Sequence, residues 1–254
     1  MPHTTHIALD VLNDHDQDEV DPEPINASIQ RYLHLTSAHL HVFHDITNVE
    51  FQNVDGFYVR GWNTTTLNVG EQDPPTSSGI SSAPIFQFAL PDEDGENIEI
   101  TSSVLVLFME SFPFSPVLRT LCLSLSFDDF EISAAEWAKL FDVLHVKAPS
   151  LRQLTIKANL RRDWALEHST TQAATIIQVI VDVLQMLSDE RQPLPLLQKI
   201  NVHDVPDSIR DVLEIITAID NCAQSRRHHG PLHVVINGFE SQLPLYEYEV
   251  KPTS

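Results

Sequence analysis

Two cysteines, seven glycines and fifteen basic side chains in 254 residues set the first limits on this chain. Cys122 and Cys222 are too few for a disulfide framework and lack the paired spacing of a zinc ribbon, so both are expected as free thiols in a reducing compartment. Seven glycines supply no P-loop, no Gly-rich dinucleotide turn and no nucleophile elbow. Fifteen Lys and Arg against 36 Asp and Glu leave a net charge of −21. Such a field repels phosphate backbones and anionic headgroups, so neither nucleic acid nor a membrane is an expected partner. The imbalance is uneven: residues 1–118 hold 18 acids against Arg31 and Arg60 alone. No basic n-region or long apolar run opens the sequence, which argues against a secretory or transit peptide and for an intracellular site, cytoplasmic or nuclear. The longest apolar stretch, residues 175–187, is too short to span a bilayer, and Gln178, Asp182 and Gln185 at i, i+4 and i+7 predict a wet stripe on a mostly buried helix.

What the chain does contain is a repeated phrase. The spacing Pro-x-Leu-x-x-(Leu/Ile)-x-(Leu/Ile/Val) occurs as Pro116-Leu118-Leu121-Leu123, Pro149-Leu151-Leu154-Ile156 and Pro195-Leu197-Ile200-Val202. Ordinary residue usage matches it at roughly 1 in 5,000 starting positions, so three matches in one chain point to a structural unit. Weaker versions begin at Ile46, Ile85 and Leu232. Each phrase ends apolar-x-apolar, which in a strand sends two side chains into a core and the one between them outward. The intervening segments read as helices. Ser133 and Glu136 form a capping box ahead of Trp137, Leu140, Phe141 and Leu144, and Ser208 reads as the N-cap of a helix with Ile209, Val212, Leu213, Ile216 and Ile219 on its stripe and Gly230 beyond its end. Strand and helix in alternation predict an α/β fold, a solenoid of strand-helix repeats with a parallel sheet and irregular repeat length.

The expected organisation is an acidic, poorly ordered segment over 1–28, one repeat domain over 29–242 with loops near 71–83 and 91–99, and a weakly patterned tail over 243–254. The opposite face of the strands would display Thr120, Cys122 and Ser124, then Gln153, Thr155 and Lys157, then Lys199, Asn201 and His203. Glu50, Gln52, Gln87 and Ala89 extend it, with Arg119 and Arg152 at its border. In stacked repeats such a face is the usual recognition surface, and these nine residues are the candidate partner-binding set.

Chemistry has weaker claims. His34, His39, His41 and His44 crowd into eleven residues, but no Glu or Cys stands at a zincin or zinc-finger spacing. Asp128, Asp129 and Glu131 read as a solvated loop ahead of the Ser133 cap, and Glu167-His168-Ser169 as sequence neighbours with no triad geometry. No catalytic residue, metal or cofactor is therefore assigned. A metal-dependent or hydrolytic enzyme using the His-rich segment stands as the alternative.

The Leu-x-x-Leu-x-Leu units resemble the leucine-rich repeat family at its irregular end, being longer than its usual unit and lacking its Asn. More specifically, the stretch PVLRTLCLSLSFDDFEISAAEWAKLFDVLHVKAPSLRQLTI, with VRGW at 59–62 ahead of it, resembles the C-terminal region of basidiomycete fungal F-box-type proteins. The similarity covers about residues 30–240 and is one of texture, without a catalytic signature. It implies a non-enzymatic protein-interaction module, with substrate recognition for an SCF-type ubiquitin ligase as the role and SCF subunits as partners. The stretch before Ile46 is too short and too acidic to read as an F-box, so the chain is expected to carry recognition without docking. A truncated, functionally empty family member also fits.

Overall fold

The computed structural model describes residues 5–8, 43, 45–54, 56–63, 84–89, 100–126, 132–158, 169–189, 194–226, 231–238 and 244–250. They form an α/β fold around one nine-stranded sheet. The strands are β1 (Thr5–Ala8), β2 (Asn48–Asn53), β3 (Phe57–Trp62), β4 (Phe86–Ala89), β5 (Thr120–Leu125), β6 (Gln153–Lys157), β7 (Lys199–Val205), β8 (Leu232–Gly238) and β9 (Pro244–Val250). The helices are α1 (Ser102–Ser111), α2 (Ala134–Lys147), α3 (Ser169–Ser188) and α4 (Leu213–Arg226). Spatial order across the sheet is β1-β4-β3-β2-β5-β6-β7-β8-β9.

The repeated phrase has a direct backbone meaning. Leu118, Leu151 and Leu197 each donate their N–H to the carbonyl three residues earlier, on Ser115, Ala148 and Leu194. Each proline thus sits at the second position of a tight turn, where its fixed φ belongs. The leucine that closes the turn is fully buried in all three cases. The next strand then begins in the same place each time. Arg119 and Thr120 both donate to Thr47 O, Arg152 and Gln153 to Arg119 O, and Gln198 and Lys199 to Arg152 O, at 2.8–3.0 Å. The result is parallel pairing of β2, β5, β6, β7 and β8 with Val49, Leu121, Leu154, Ile200 and Val234 in one inward row and Phe51, Leu123, Ile156, Val202 and Ile236 in the next.

These rows and the buried sides of the helices make one hydrophobic core. The Ser133 capping box is present in full, and Trp137, Leu140, Phe141 and Leu144 of α2 are buried as their spacing predicts. Lys147, in the last turn of α2, donates to the carbonyls of Glu110 and Phe112 and so closes the C-terminal end of α1. At the other end of α1, the amide of buried Asn53 makes two 2.9 Å bonds with the backbone of Ile100, one given and one received. Beneath β2–β4, Phe51 meets Phe108 and Phe112, and Phe57 meets Phe88 and Phe108, edge to face.

The sheet departs from the expected all-parallel order. β3 runs antiparallel to both β2 and β4, and β9 antiparallel to β8. The phrase at Ile85 therefore does not stack between those at Ile46 and Pro116: β5 lies directly on β2, and β4 is separated from β2 by the VRGW strand. The phrase at Leu232 is displaced by one residue, because Val234 rather than Val235 pairs with Ile200. The helix expected from Ser208 begins instead at Leu213; Asp207–Ile209 form a 3-10 turn, and Asp211 adopts a positive φ of 63° that breaks a continuous helix. Its buried side is Ile215, Ala218, Ile219 and Cys222, leaving Leu213 and Ile216 exposed. On α3, Gln178 and Gln185 are exposed as expected, but Asp182 is buried and accepts from Gln178 at 2.7 Å. Within the two flanks expected to lie outside the domain, Thr5–Ala8 and Pro244–Val250 form β1 and β9. The loops at 71–83 and 91–99 and Gly230 lie outside the described residues. Among the described residues no helix is long and apolar enough to cross a membrane.

Candidate functional site

Alternation along the strands sends every second side chain to the face opposite the helices, where Ser124, Thr155 and Asn201 are buried and Thr120, Cys122, Gln153, Lys157, Lys199 and His203 are half-buried. The register places all nine candidate residues there, in three rows. Thr120, Gln153 and Lys199 align with Asn48 and His233; Cys122, Thr155 and Asn201 align with Glu50 and Val235; Ser124, Lys157 and His203 align with Gln52. The middle row continues through Arg60 to Gln87 on one side and to Glu247 on the other.

The centre of this face is polar and tightly held. Lys157 Nζ lies 3.2 Å from Glu50 Oε1, and the Cys122 thiol donates to the same oxygen at 3.7 Å. Two strand spacings, ~9.6 Å, separate β6 from β2, so the lysine stem has to lie across β5 to make that bond. Burial works to lower the Lys157 ammonium, yet Cys122 when ionised, Glu50 and Asp204 outweigh it and hold its pKa above the ordinary lysine value. Cys122 keeps some exposed surface as a residue, but burial of its thiol pushes it up to about 12, with Lys157 opposing and Glu50 reinforcing the shift. A thiol so held is no nucleophile at neutral pH.

Asp204 reaches this cluster through an irregularity in β7. Val202 pairs with Ile236 and Val205 with Gly238, so His203 and Asp204 together oppose Asn237 alone. Asp204 takes a φ of 61° there, which a bulge uses to re-aim a side chain. His203 Nδ1 is 3.2 Å from Asn237 Nδ2. Beside it, Asn201 is 2% exposed and its Nδ2 has no hydrogen-bond partner. An unsatisfied buried donor costs about 1–3 kcal/mol, and Trp137 Nε1 in the core stands in the same state.

Sequence reasoning missed the contribution of β3. Tyr58, Arg60 and Trp62 stand half-buried on the open face, with Arg60 Nη1 donating to Gln52 Oε1 at 3.2 Å and its guanidinium 5.2 Å from the Tyr58 ring centre. The signal was the alternation in FYVRGW, apolar and inward at Phe57 and Val59, polar or amphipathic and outward at Tyr58, Arg60 and Trp62. Asp204 carried no sequence signal, since a positive φ at a non-glycine residue is set by tertiary pairing.

His34, His39, His41, His44, Asp128, Asp129, Glu131, Glu167 and His168 lie outside the described residues. Among the described residues no three His, Cys, Asp or Glu side chains are grouped as metal ligands. Comparison with known proteins finds no matching family model, no matching curated protein and no matching solved structure.

Proposed function

We propose that this chain is a non-enzymatic protein-interaction module, an irregular leucine-rich-repeat-like solenoid whose open strand face receives a polypeptide partner. The observation that carries this reading is the one-sided sheet: the described helices all back one face, and the other displays Tyr58, Arg60 and Trp62 on a single strand beside a polar centre. Tyr, Trp and Arg dominate binding energy at protein interfaces because each offers a large, stiff contact area with a polar handle. The resemblance to F-box-type proteins adds the role of presenting that partner to an SCF-type ubiquitin ligase in the cytoplasm or nucleus.

The test compares what immobilised wild-type chain and an Arg60→Glu/Lys199→Glu variant retain from a fungal extract, by mass spectrometry. A defined set lost with the variant, at a melting temperature within about 2 °C of wild type, supports the reading. Retention of the same set by both removes the open face from consideration. The SCF linker subunit and cullin in the retained set carry the ligase role, and without them that role is dropped.

A further inference from the structure

β9 ends the strand order on one side, and among the described residues no strand pairs with its outer edge. Such an edge presents a row of backbone N–H and C=O groups that a further strand can take up. The strand itself is firmly held. Pro244 and Tyr246–Val250 are in register with β8, and the Tyr246 hydroxyl fastens β9 from the helix side, donating to Ile209 O and accepting from Val212 N, both at 2.8 Å. Its side chains alternate in chemistry as well as in direction. Tyr246 and Tyr248 pair with the inward residues Ile236 and Val234 and lie on the helix side, whereas Glu247 and Glu249 pair with Val235 and His233 and lie on the open side. Glu247, Tyr248 and Glu249 are all exposed, and the Glu247 side chain keeps 61% of its surface although His233 Nε2 is 3.2 Å away.

This pattern restricts what the edge can take. Twofold pairing of two β9 edges keeps their open sides together, and the register that uses the whole strand sets one Glu247 directly against the other, so a second copy is disfavoured. The net charge of −21 adds to that repulsion. Cross-strand pairing rewards the opposite arrangement, a cation against each acid and an apolar side chain against each aromatic ring. We propose that β9 is a strand-addition site for an extended peptide in which Lys or Arg alternates with aromatic or β-branched residues. The basic side chains stand opposite Glu247 and Glu249, and the apolar ones opposite Tyr246 and Tyr248. In this mode main-chain bonds supply affinity and the alternation supplies selectivity. Tyr246 and β8 already hold β9 extended, so little ordering is left to oppose binding. The site lies on the edge of the sheet and stands independently of the open face, so either can fail without the other.

Fluorescence anisotropy of the full chain with a labelled heptapeptide of alternating Lys and Val, at ~0.15 M salt, tests the proposal. The same peptide N-methylated at every amide carries equal charge but cannot pair by its backbone. Wild type is expected to bind the unmodified peptide, to bind the N-methylated one at least ~10-fold more weakly, and to ignore a peptide of alternating Glu and Val. Glu247→Gln/Glu249→Gln should weaken binding at least ~3-fold. No binding of the Lys-Val peptide at about 1 mM, equal affinity for the N-methylated form, or unchanged affinity in the double variant overturns it. Equal affinity for the N-methylated form would mark adsorption to an acidic surface. If the double variant melts more than about 5 °C below wild type, amide exchange on wild type decides in its place: bound peptide should slow exchange within Tyr246–Glu249, and unchanged exchange there overturns the proposal.

Discussion

Lys157 and Glu50 stand 107 positions apart in sequence and meet 3.2 Å apart over β5, with the Cys122 thiol bonded to the same carboxylate oxygen. The bond ties β6 to β2 across an intervening strand. Both side chains keep about a fifth of their surface exposed, 21% and 17%, which places the pair between a surface ion pair and a buried one.

Lys157→Met should therefore cost about 1 kcal/mol in chemical denaturation at neutral pH. The lysine's folded pKa is raised, so its contribution is complete below the unfolded value near 10.4 and is lost as pH rises through the folded value. The gap between wild type and Lys157→Met should hold from neutral pH to about 10 and close above it. A gap that closes near neutrality would show that the pair does not act as described.

Gly61→Ala should destabilise by about 1–3 kcal/mol, because a methyl group there would lie 2.2 Å from Phe86 Cε1 and 3.0 Å from Ile46 Cδ1. Phe86→Leu, costly alone, should recover part of that loss in the double variant. A simple sum of the two single costs would contradict the packing of this ring over β3.

Ser133→Ala should lower stability by about 1 kcal/mol through the first turn of α2. Ser133 Oγ accepts from Glu136 N at 3.3 Å, and the Glu136 carboxylate accepts in return from Ser133 N at 2.9 Å, from the Ser133 hydroxyl at 2.8 Å and from the Ser102 hydroxyl at 3.0 Å. Desolvation pushes its pKa up, and the three bonds to the carboxylate bring it below the ordinary value. Its share of stability is thus present above the unfolded pKa near 4.3 and lost as pH falls through the folded one, and Glu136→Gln should flatten the acid limb of the stability profile.

Tyr246→Phe should cost about 1–2 kcal/mol, measured by thermal melting. The Tyr246 hydroxyl donates to Ile209 O and accepts from Val212 N, both at 2.8 Å, and so fastens the turn before α4 to β9. Faster amide exchange at Val212 in the variant would locate the loss in that turn.

Much of the parallel part of the sheet was legible, and for a specific reason. Pro116, Pro149 and Pro195 fix a turn, the leucine two residues later closes it, and the strand register follows from that closure. The nine face residues came with the register, since alternation needs no tertiary information. β3 was obscured because its third inward position is Gly61, whose apolar surface is supplied by the Phe86 ring lying over it. The start of α4 was misplaced because Asp211 turns the chain at a positive φ that no propensity announces. β9 alternates Leu245, Tyr246, Glu247, Tyr248 and Glu249, a pattern as compatible with an unattached tail as with an antiparallel edge strand until β8 is there to pair with it.

The shared strand-start carbonyls also give the sheet a direction in time. The first two amides of β6 and its lead-in depend on Arg119 O, and those of β7 on Arg152 O, while nothing at the start of β5 depends on β6. Each strand from β5 to β7 thus finds its acceptor on a segment that precedes it in the chain. A ribosome delivers these segments in that order, so each newly emerged turn meets a template already laid down. Fraying runs the other way: pulling β7 from the sheet leaves the start of β6 intact, whereas pulling β5 strips β6 of both starting bonds.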